Sequence, residues 1–532
     1  MLSGLRFETA APTVSVSPDR ADIACFIGHV ARRPGVPLPA EVTDALTVSG
    51  WIGGPWAVDA ARLDSLEQLP VAFESWDSFA QLFAWDQRLI RDGDTAVCAS
   101  YLGAALRSFF ATGGRRAWVI RVADPFPYIE AAGGRAANRD ARLHALIPAI
   151  AALNLPALPF DPTDPTTWRG IEHLFGLAEV SHVCLPDLAD ICAADPLAPP
   201  TSFSPPPPPE VFVECSEDEP ALPGDDALDR LAAPRSDDAG FVAWGIAARQ
   251  ISLFLTTRRA DALFVGALPL ALPDTQHISG LVTTRADEDL NGFLLGTGVL
   301  DPVGSSQTNG APPASYAEYL WPWLRTNRSD DLPQSLEPAD GLFAGLLARN
   351  ALVRGTFHSV GGTILDDVIG LTPLPAMGLG ADSPTEALAA RICVIAQEPD
   401  GISVESDVTA SPDVAFQFGG ARRLMGAIRR SARRFGEAHC FEPNGPALWA
   451  RLRRSFEGML AAFWREGAFD GANANDAYSV RCDRSTMSQD DLDNGRLIAL
   501  ITVQPAAAIS RITVVLDMTV GSSAAAQIRE VA

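Results

Sequence analysis

Apolar positions along this chain switch between two spacings. Residues 23–30 (IACFIGHV), 116–122 (RAWVIRV), 180–185 (VSHVCL), 262–268 (ALFVGAL) and 391–396 (RICVIA) are short, β-branched-rich runs. They are too short for helices and too apolar for strands with one wet face, so they predict buried strands. Between them the apolar spacing lengthens to three and four. Phe79, Leu82 and Phe83 follow an N-cap at Ser75, and Leu102, Leu106, Phe109 and Phe110 share one side of a helix over 99–110 that Gly113-Gly114 stops. Further helices are predicted over 168–177, over 241–255, and over 340–350 on Leu342, Phe343, Leu346 and Leu347. Strands alternating with helices in this order imply an α/β body. Residues 316–324 are aromatic-rich, and Pro322 prevents one long helix through them.

The two ends alternate with a period of two. Leu5, Phe7 and Thr9, then Val14 and Val16, mark an extended N-terminal arm over 1–22. At the other end, residues 511–520 put Ile512, Val514, Leu516, Met518 and Val520 on one face of a C-terminal arm over 506–532. Such arms either fold back on their own domain or pair with an edge of another chain. Residues 496–503 (RLIALITV) read as a buried strand between a helix over 447–466 and the arm.

One stretch breaks the ordinary mixing of charge. Residues 421–435 read ARRLMGAIRRSARRF, with Arg422, Arg429 and Arg433 on one helical stripe, Arg423, Arg430 and Arg434 on the next, and no acid. Like charges three or four apart repel by about 0.2–0.5 kcal/mol per pair, so an acidic surface outside the helix is expected to face it. The following helix adds Arg451, Arg453, Arg454 and Arg465, giving ten arginines against three glutamates over 421–465. The chain as a whole carries −24, and all 41 of its lysine-plus-arginine residues are arginine. That balance disfavours general nucleic-acid binding, and the lack of lysine excludes lysine Schiff bases and P-loop lysines.

Residues 186–240 change character, with five prolines at 205–209 and ten acids against two arginines from Glu210 to Asp238. This composition reads as an exposed insertion, although its acids have the sign the arginine helix calls for. The eight cysteines are scattered with no CxxC pair and read as buried thiols in a reducing compartment. No basic-then-apolar leader opens the sequence and no apolar run reaches membrane-spanning length, which points to synthesis and assembly in the cytoplasm. No GxSxG, HExxH, Walker or dinucleotide motif occurs. His439-Cys440, Asp366-Asp367 and the acids at 490–493 complete neither a catalytic nor a metal set, so no catalytic residue, cofactor or metal is expected.

Several phrases, in order, resemble the contractile tail sheath family of phages, R-type pyocins and extracellular or thylakoid contractile injection systems. They are Ser75-Trp-Asp-Ser-Phe79, Tyr101-Leu-Gly103, the 113–122 run GGRRAWVIRV, VSHVCLP at 180–186 and YLWPWL at 319–324. The C-terminal third adds Arg422-Arg423-Leu424, Phe441-Glu-Pro-Asn444, LWARLR at 448–453, WREG at 464–467, VRCD at 480–483 and DNGRL at 493–497. The chain departs from the family pattern in lacking its Gly-x-Trp-Gly-Asn phrase after 116–122, most of the outer domain there, and the Pro-Gly-Val-Tyr opening.

The resemblance implies a non-enzymatic subunit that stacks in rings around an inner tube and drives it forward by contracting. It implies an α/β N-terminal and central body over 23–335 with subtilisin-like layering, and an α+β inner, tube-facing domain over 336–505. The arms, through Val14, Val16, Ile512, Val514, Leu516 and Met518, would add strands to neighbouring subunits. Arg422, Arg423, Arg429, Arg430, Arg433 and Arg434 would meet an acidic outer surface of the tube. Implied partners are other sheath subunits, the tube, and baseplate and cap proteins, without nucleic acid or membrane insertion. The particle would be released by lysis or attached to a membrane through its baseplate. The departures leave room for a minor sheath paralogue at the baseplate or cap, and the implied layering for a subtilisin-like hydrolase, for which no Ser, His and Asp set can be nominated.

Overall fold

The centre of the molecule is β1 (Ala24–His29), a strand buried along its whole length. Its side chains alternate between two cores: Ile23, Cys25 and Ile27 enter one, Ala24 and Phe26 the other. A strand apolar on both faces can only sit inside a sheet covered on both sides. The computed structural model describes residues 20–148, 150, 160–196, 228, 231–272, 289–304, 311–375, 384–439, 442–506, 514–515 and 529–530.

Around β1 lie β2 (Pro70–Phe73), β3 (Ala117–Ala123), β4 (His182–Cys184), β5 (Leu263–Ala267), β6 (Ala317–Trp321), β7 (Cys393–Glu398) and β8 (Gly401–Val404). The sheet runs β8-β7-β6-β5-β4-β1-β3-β2. Pairing is parallel from β7 through β3, with Ala24 opposite both Ala117 and His182, and antiparallel at the two ends, where β8 joins β7 and β2 joins β3.

Helices cover both faces. One face holds α1 (Tyr101–Thr112) and α4 (Asp340–Val353); the other holds α2 (Gly134–Leu146) and α3 (Asp238–Arg258). α3 is long and apolar enough to cross a membrane, yet Phe241, Trp244 and Ile251 pack into the core, with Trp244 edge-on to Tyr319 at 5.0 Å. Ser100 caps α1 by accepting from the Gly103 amide, and Gly113 ends it at φ +124°.

Contacts divide the chain into two units, 1–440 and 441–532. The larger unit contains α5 (Gly419–Glu437) as well as the sheet. Residues 336–440, assigned from the sequence to an inner domain, thus supply β7, β8 and α4 to the central layers, and the division at 335/336 does not coincide with the division of contacts. In the smaller unit, α6 (Pro446–Arg465) buries Leu448, Leu452, Phe456 and Leu460 and ends before Gly467 at φ +85°. An antiparallel hairpin of β9 (Tyr478–Arg481) and β10 (Leu500–Val503) follows.

Several expectations need correction. Residues 168–177 form a 3-10 turn at Gly170–Phe175 rather than an α-helix, because Gly170 takes φ +48° and its Cα lies against the Leu146 carbonyl. Residues 496–503 are not a buried strand: only Leu500–Val503 pairs, and Leu500 is 44% exposed because α6 covers one face of the hairpin and Leu500 is on the other. The acidic insertion is narrower than 186–240. Leu188–Ile191 is helical and buried, and Arg235–Ser236 pairs with Leu270–Ala271, because Asp187 and Asp190 are tied into the body rather than solvated. α2 has no counterpart among the sequence-based elements.

Val14, Val16, Ile512, Leu516 and Met518 lie outside the described residues. Of the predicted 511–520 strand, Val514–Val515 is described, paired antiparallel with Arg529–Glu530. The described cysteines 25, 98, 184, 192, 393 and 482 are all free and buried, and burial pushes Cys98 up to about 11 and Cys192 to about 12, which leaves both as unreactive thiols.

α4 can lie against α1 only through small residues. A Cβ at Gly341 would stand 2.3 Å from the Ala105 carbonyl oxygen, and one at Gly345 2.5 Å from that of Phe109. Gly341→Val is therefore expected to destabilise the larger unit by about 1–3 kcal/mol or more, read as a lowered urea midpoint. An unchanged midpoint would show that the two helices tolerate separation.

Candidate functional site

Arginine is a good helix former, and α5 extends two residues beyond the predicted 421–435 at each end. Its apolar side, with Leu424, Ala427 and Ile428 buried, seats it on the larger unit. Two glycines permit close approach: a Cβ at Gly419 would fall 2.3 Å from Asp407 Oδ1, and one at Gly426 2.7 Å from the Asp261 carbonyl oxygen.

The acid expected opposite the arginines is present, and it belongs to the same chain. Arg423, 5% exposed, donates from Nη1 to Glu318 Oε1 at 2.7 Å and from Nη1 and Nη2 to Asp407 Oδ1 and Oδ2 at 2.8 and 2.7 Å. Glu318 is on β6, and Asp407, just past β8, also accepts from the Val360 amide at 2.9 Å. Arg433 grips Asp261 with both nitrogens at 2.9 and 3.3 Å, and Arg259 holds the same carboxylate at 3.2 Å. Burial pushes Asp261 upward, but Arg259 and Arg433 outweigh it and hold the carboxyl below its usual range. Arg422 stacks 3.6 Å from the Tyr316 ring centroid and donates to the Ala260 carbonyl, which Arg429 also reaches at 2.8 Å. Arg430 donates to the Asp261 carbonyl.

Of the six arginines singled out by sequence, Arg422, Arg423 and Arg430 are thus buried against their own body, Arg433 is half-buried, and Arg429 and Arg434 are exposed. Burial drives the Arg422 and Arg430 values down to about 10, still above neutral pH. The three buried side chains have no surface to offer a partner in this conformation. Sequence reasoning found the need for an acid but not its location, because Asp261, Glu318 and Asp407 lie far apart in the chain and no local pattern marks them. In the smaller unit, Arg451, Arg453, Arg454 and Arg465 of α6 are exposed.

Glu318, Cys393 and Asp407 bring three ligand-type atoms within 4.8 Å of one another. Arg423 already occupies the space between the two carboxylates, so a cation would have to displace a guanidinium there. The other candidate clusters are used locally. Asp367 pairs with Arg328 at 2.9 Å, Asp491 forms a capping box with Ser488, Asp490 pairs with Arg496 at 2.7 Å, and His439 Nδ1 meets the Phe435 carbonyl at 2.9 Å.

Beside α5 the surface opens into a groove of about 430 Å³, which the sequence reading missed. Trp51, Trp56, Trp118 and Trp168 line it, and Arg430, Arg433 and Arg434 form one rim. These tryptophans come from three separate stretches of chain and share no sequence pattern.

The sequence matches no family model and no curated protein. Solved structures do match over almost the whole chain. A chain in the contracted-state baseplate of the anti-feeding prophage (AFP) has a TM-score of 0.56 at 16% identity, covering 97% of this chain and 98% of that one. A chain in the six-fold symmetrised AFP baseplate has a TM-score of 0.53 at 16% identity, covering 98% and 99%. The contracted AFP helical sheath gives 0.49 at 17% identity. The protein shares the fold of the two AFP baseplate components.

Glu318 and Asp407 share one buried cation. Burial pushes Glu318 up from 4.5 to about 8, with Arg423 opposing only in part, whereas at Asp407 burial is outweighed by the two-pronged Arg423 contact and the carboxyl stays low. An acid raised in the folded state stabilises fully below its unfolded value of 4.5 and loses that contribution as pH climbs through about 8. Urea midpoints of the wild type should therefore fall across this window, and Glu318→Gln should flatten that part of the profile. Arg423→Met, which leaves two buried carboxyls without their cation, should cost about 3–5 kcal/mol at neutral pH. A loss under 1 kcal/mol would mean that the triad does not hold α5 in place.

Proposed function

We propose that this chain is a structural, non-enzymatic subunit of a contractile, phage-tail-like injection particle, of the sheath type, assembling around an inner tube and moving it by contraction. The observation that carries the reading is a likeness in fold that runs end to end, over 97–98% of the chain, to components of the AFP baseplate. The ordered sequence phrases at 75–79, 113–122, 180–186, 319–324 and 441–497 point the same way. Because both of those structures are baseplates, a place at the baseplate end, as a minor sheath paralogue, is the second reading.

Two physical features suit such a subunit. Among the described residues the hairpin β9–β10 has two strands with α6 against one face, and so small a sheet gains stability from any further strand that joins it. An extended arm from a neighbour would complete it by main-chain hydrogen bonds, which join two bodies without fixing their orientation. A contact with an acidic tube wall would run through exposed arginines, Arg451, Arg453 and Arg454 on α6. Screened pairs of this kind are individually weak and so can be broken during contraction. The particle would assemble in the cytoplasm, with baseplate and cap proteins as further partners, and subtilisin-like layering of the body is part of the same inference.

Negative-stain microscopy of the purified protein with its tube should show hollow cylinders or stacked rings, or short collars at one end if the protein is the minor paralogue. Monomer under every salt and concentration condition would count against both. Removal of residues 511–532 should leave folded subunits that no longer assemble, and normal assembly would dispose of the arm. Arg451→Glu, Arg453→Glu and Arg454→Glu combined should release the extended-state tube in pull-downs at moderate salt.

A further inference from the structure

The groove beside α5 is built to hold a particular kind of chain. Its walls are indole rings, which offer flat apolar faces and one N–H each. Trp118 Nε1 is already engaged by Glu179 at 2.7 Å, and Trp168 Nε1 by the Asp161 carbonyl at 2.9 Å, so those two rings present carbon rather than donors. The rim beside α5 carries Arg433 and Arg434 together with Glu437. Arg434 is exposed there, whereas Arg433 is already turned to Asp261 and Arg430 is buried. Tryptophan grooves accept proline-rich segments, whose preformed conformation loses little entropy on docking. Arginine forks accept carboxylates.

This chain carries both features side by side. Pro205–Pro209 are followed at once by Glu210, then Glu214, Glu217, Asp218 and Glu219. At about 3.1 Å per residue the five prolines would span roughly 15 Å. The groove volume of about 430 Å³ lies within the range of about 300–1,000 Å³ usual for small-ligand sites. A few proline rings would fit inside, with the acids that follow left near Arg434.

We propose that the groove binds the proline run and acidic stretch 205–219 of a second copy of this chain. The place where the segment is tethered suits that source. It leaves after Pro196 and returns at Leu228, beyond the C-terminal end of β4, where Ala233 and Leu228 pack with Tyr128 and Trp323. The groove is at the opposite edge, beside Ile23, Trp118 and Glu179, at or just before the N-terminal ends of β1, β3 and β4. Donor and acceptor on opposite edges make a head-to-tail contact, which propagates instead of closing on itself. The choice of a second copy rests on the reading of the chain as a subunit of a homopolymer, whereas the groove's preference for a proline–acid segment does not.

The test uses the full chain with residues 205–219 replaced by an equally long Gly/Ser stretch, and a fluorescent peptide of sequence 205–219. Anisotropy should report saturable binding that weakens at least tenfold in Arg434→Glu, and likewise in Trp56→Ala, and that falls with added salt. Absence of binding, or binding unaffected by both substitutions, overturns the proposal. So does preferential capture of a peptide of residues 1–19. For the source, the Gly/Ser chain is mixed with an Arg434→Glu chain that retains its insertion. By sedimentation, neither should pair alone through this contact, and the mixture should. No pairing in the mixture, with peptide binding intact, places the segment in its own groove and overturns the second copy. Cylinders that still form when the peptide fails would reject this contact while leaving the sheath reading in place.

Discussion

The buried contact of Arg423 with Glu318 and Asp407 ties side chains from three segments together: a central strand, the chain leaving the sheet edge, and the helix that follows. Two carboxyls and one guanidinium cannot all be charged in a dry site without strong repulsion. Burial pushes Glu318 up to about 8, which favours its protonated form at neutral pH beside a charged Arg423–Asp407 pair. Hydrophobic side chains of the same size could hold as much energy, so the value of the triad lies in specificity. A guanidinium with fixed fork geometry accepts one position of α5, whereas a greasy face would accept several.

Asp261 repeats the device two to three turns further along the helix. It takes Arg433 and Arg259 on its side chain and Arg430 on its carbonyl, so most of the helix's arginines are engaged by its own body. A face held this way behaves as a rigid part of the subunit. Contacts that must break during a working cycle are then expected elsewhere, on exposed side chains where screening keeps each pair weak. That separation of buried, fixed pairs from exposed, breakable ones is what a subunit needs if its body is to rotate intact while its neighbours change.

How much of this was legible follows from which signals are local. β1, α1 and α4 announced themselves because a strand buried on both faces and a helix with one apolar side have short-range signatures. Ser75 and Ser100 work as caps within their own turn. The 3-10 turn at 170–175 was misread because the decisive contact, Gly170 against the Leu146 carbonyl, is tertiary. Residues 496–503 looked like core because apolar composition does not say whether one face of a strand is covered or both. The arginine cluster showed that an acid was required, but Glu318 and Asp261 are more than 100 residues upstream, so burial rather than a partner surface was invisible to any local pattern. The tryptophan groove failed for the same reason, its walls being gathered from 51–56, 118 and 168.

The net charge adds a constraint on any assembly of this chain. At −24, two copies repel at long range, so a lattice needs joints that either ignore charge or use it locally. Main-chain strand pairing is of the first kind, since amide–carbonyl bonds are indifferent to the sign of nearby side chains. An arginine rim facing the acids of a neighbour is of the second kind. It converts part of the repulsion into attraction at one spot, and it weakens with salt while strand pairing does not. A lattice with both joints can keep its connectivity through the strands while the charged contact lets go, which is how stacked subunits can slide without coming apart.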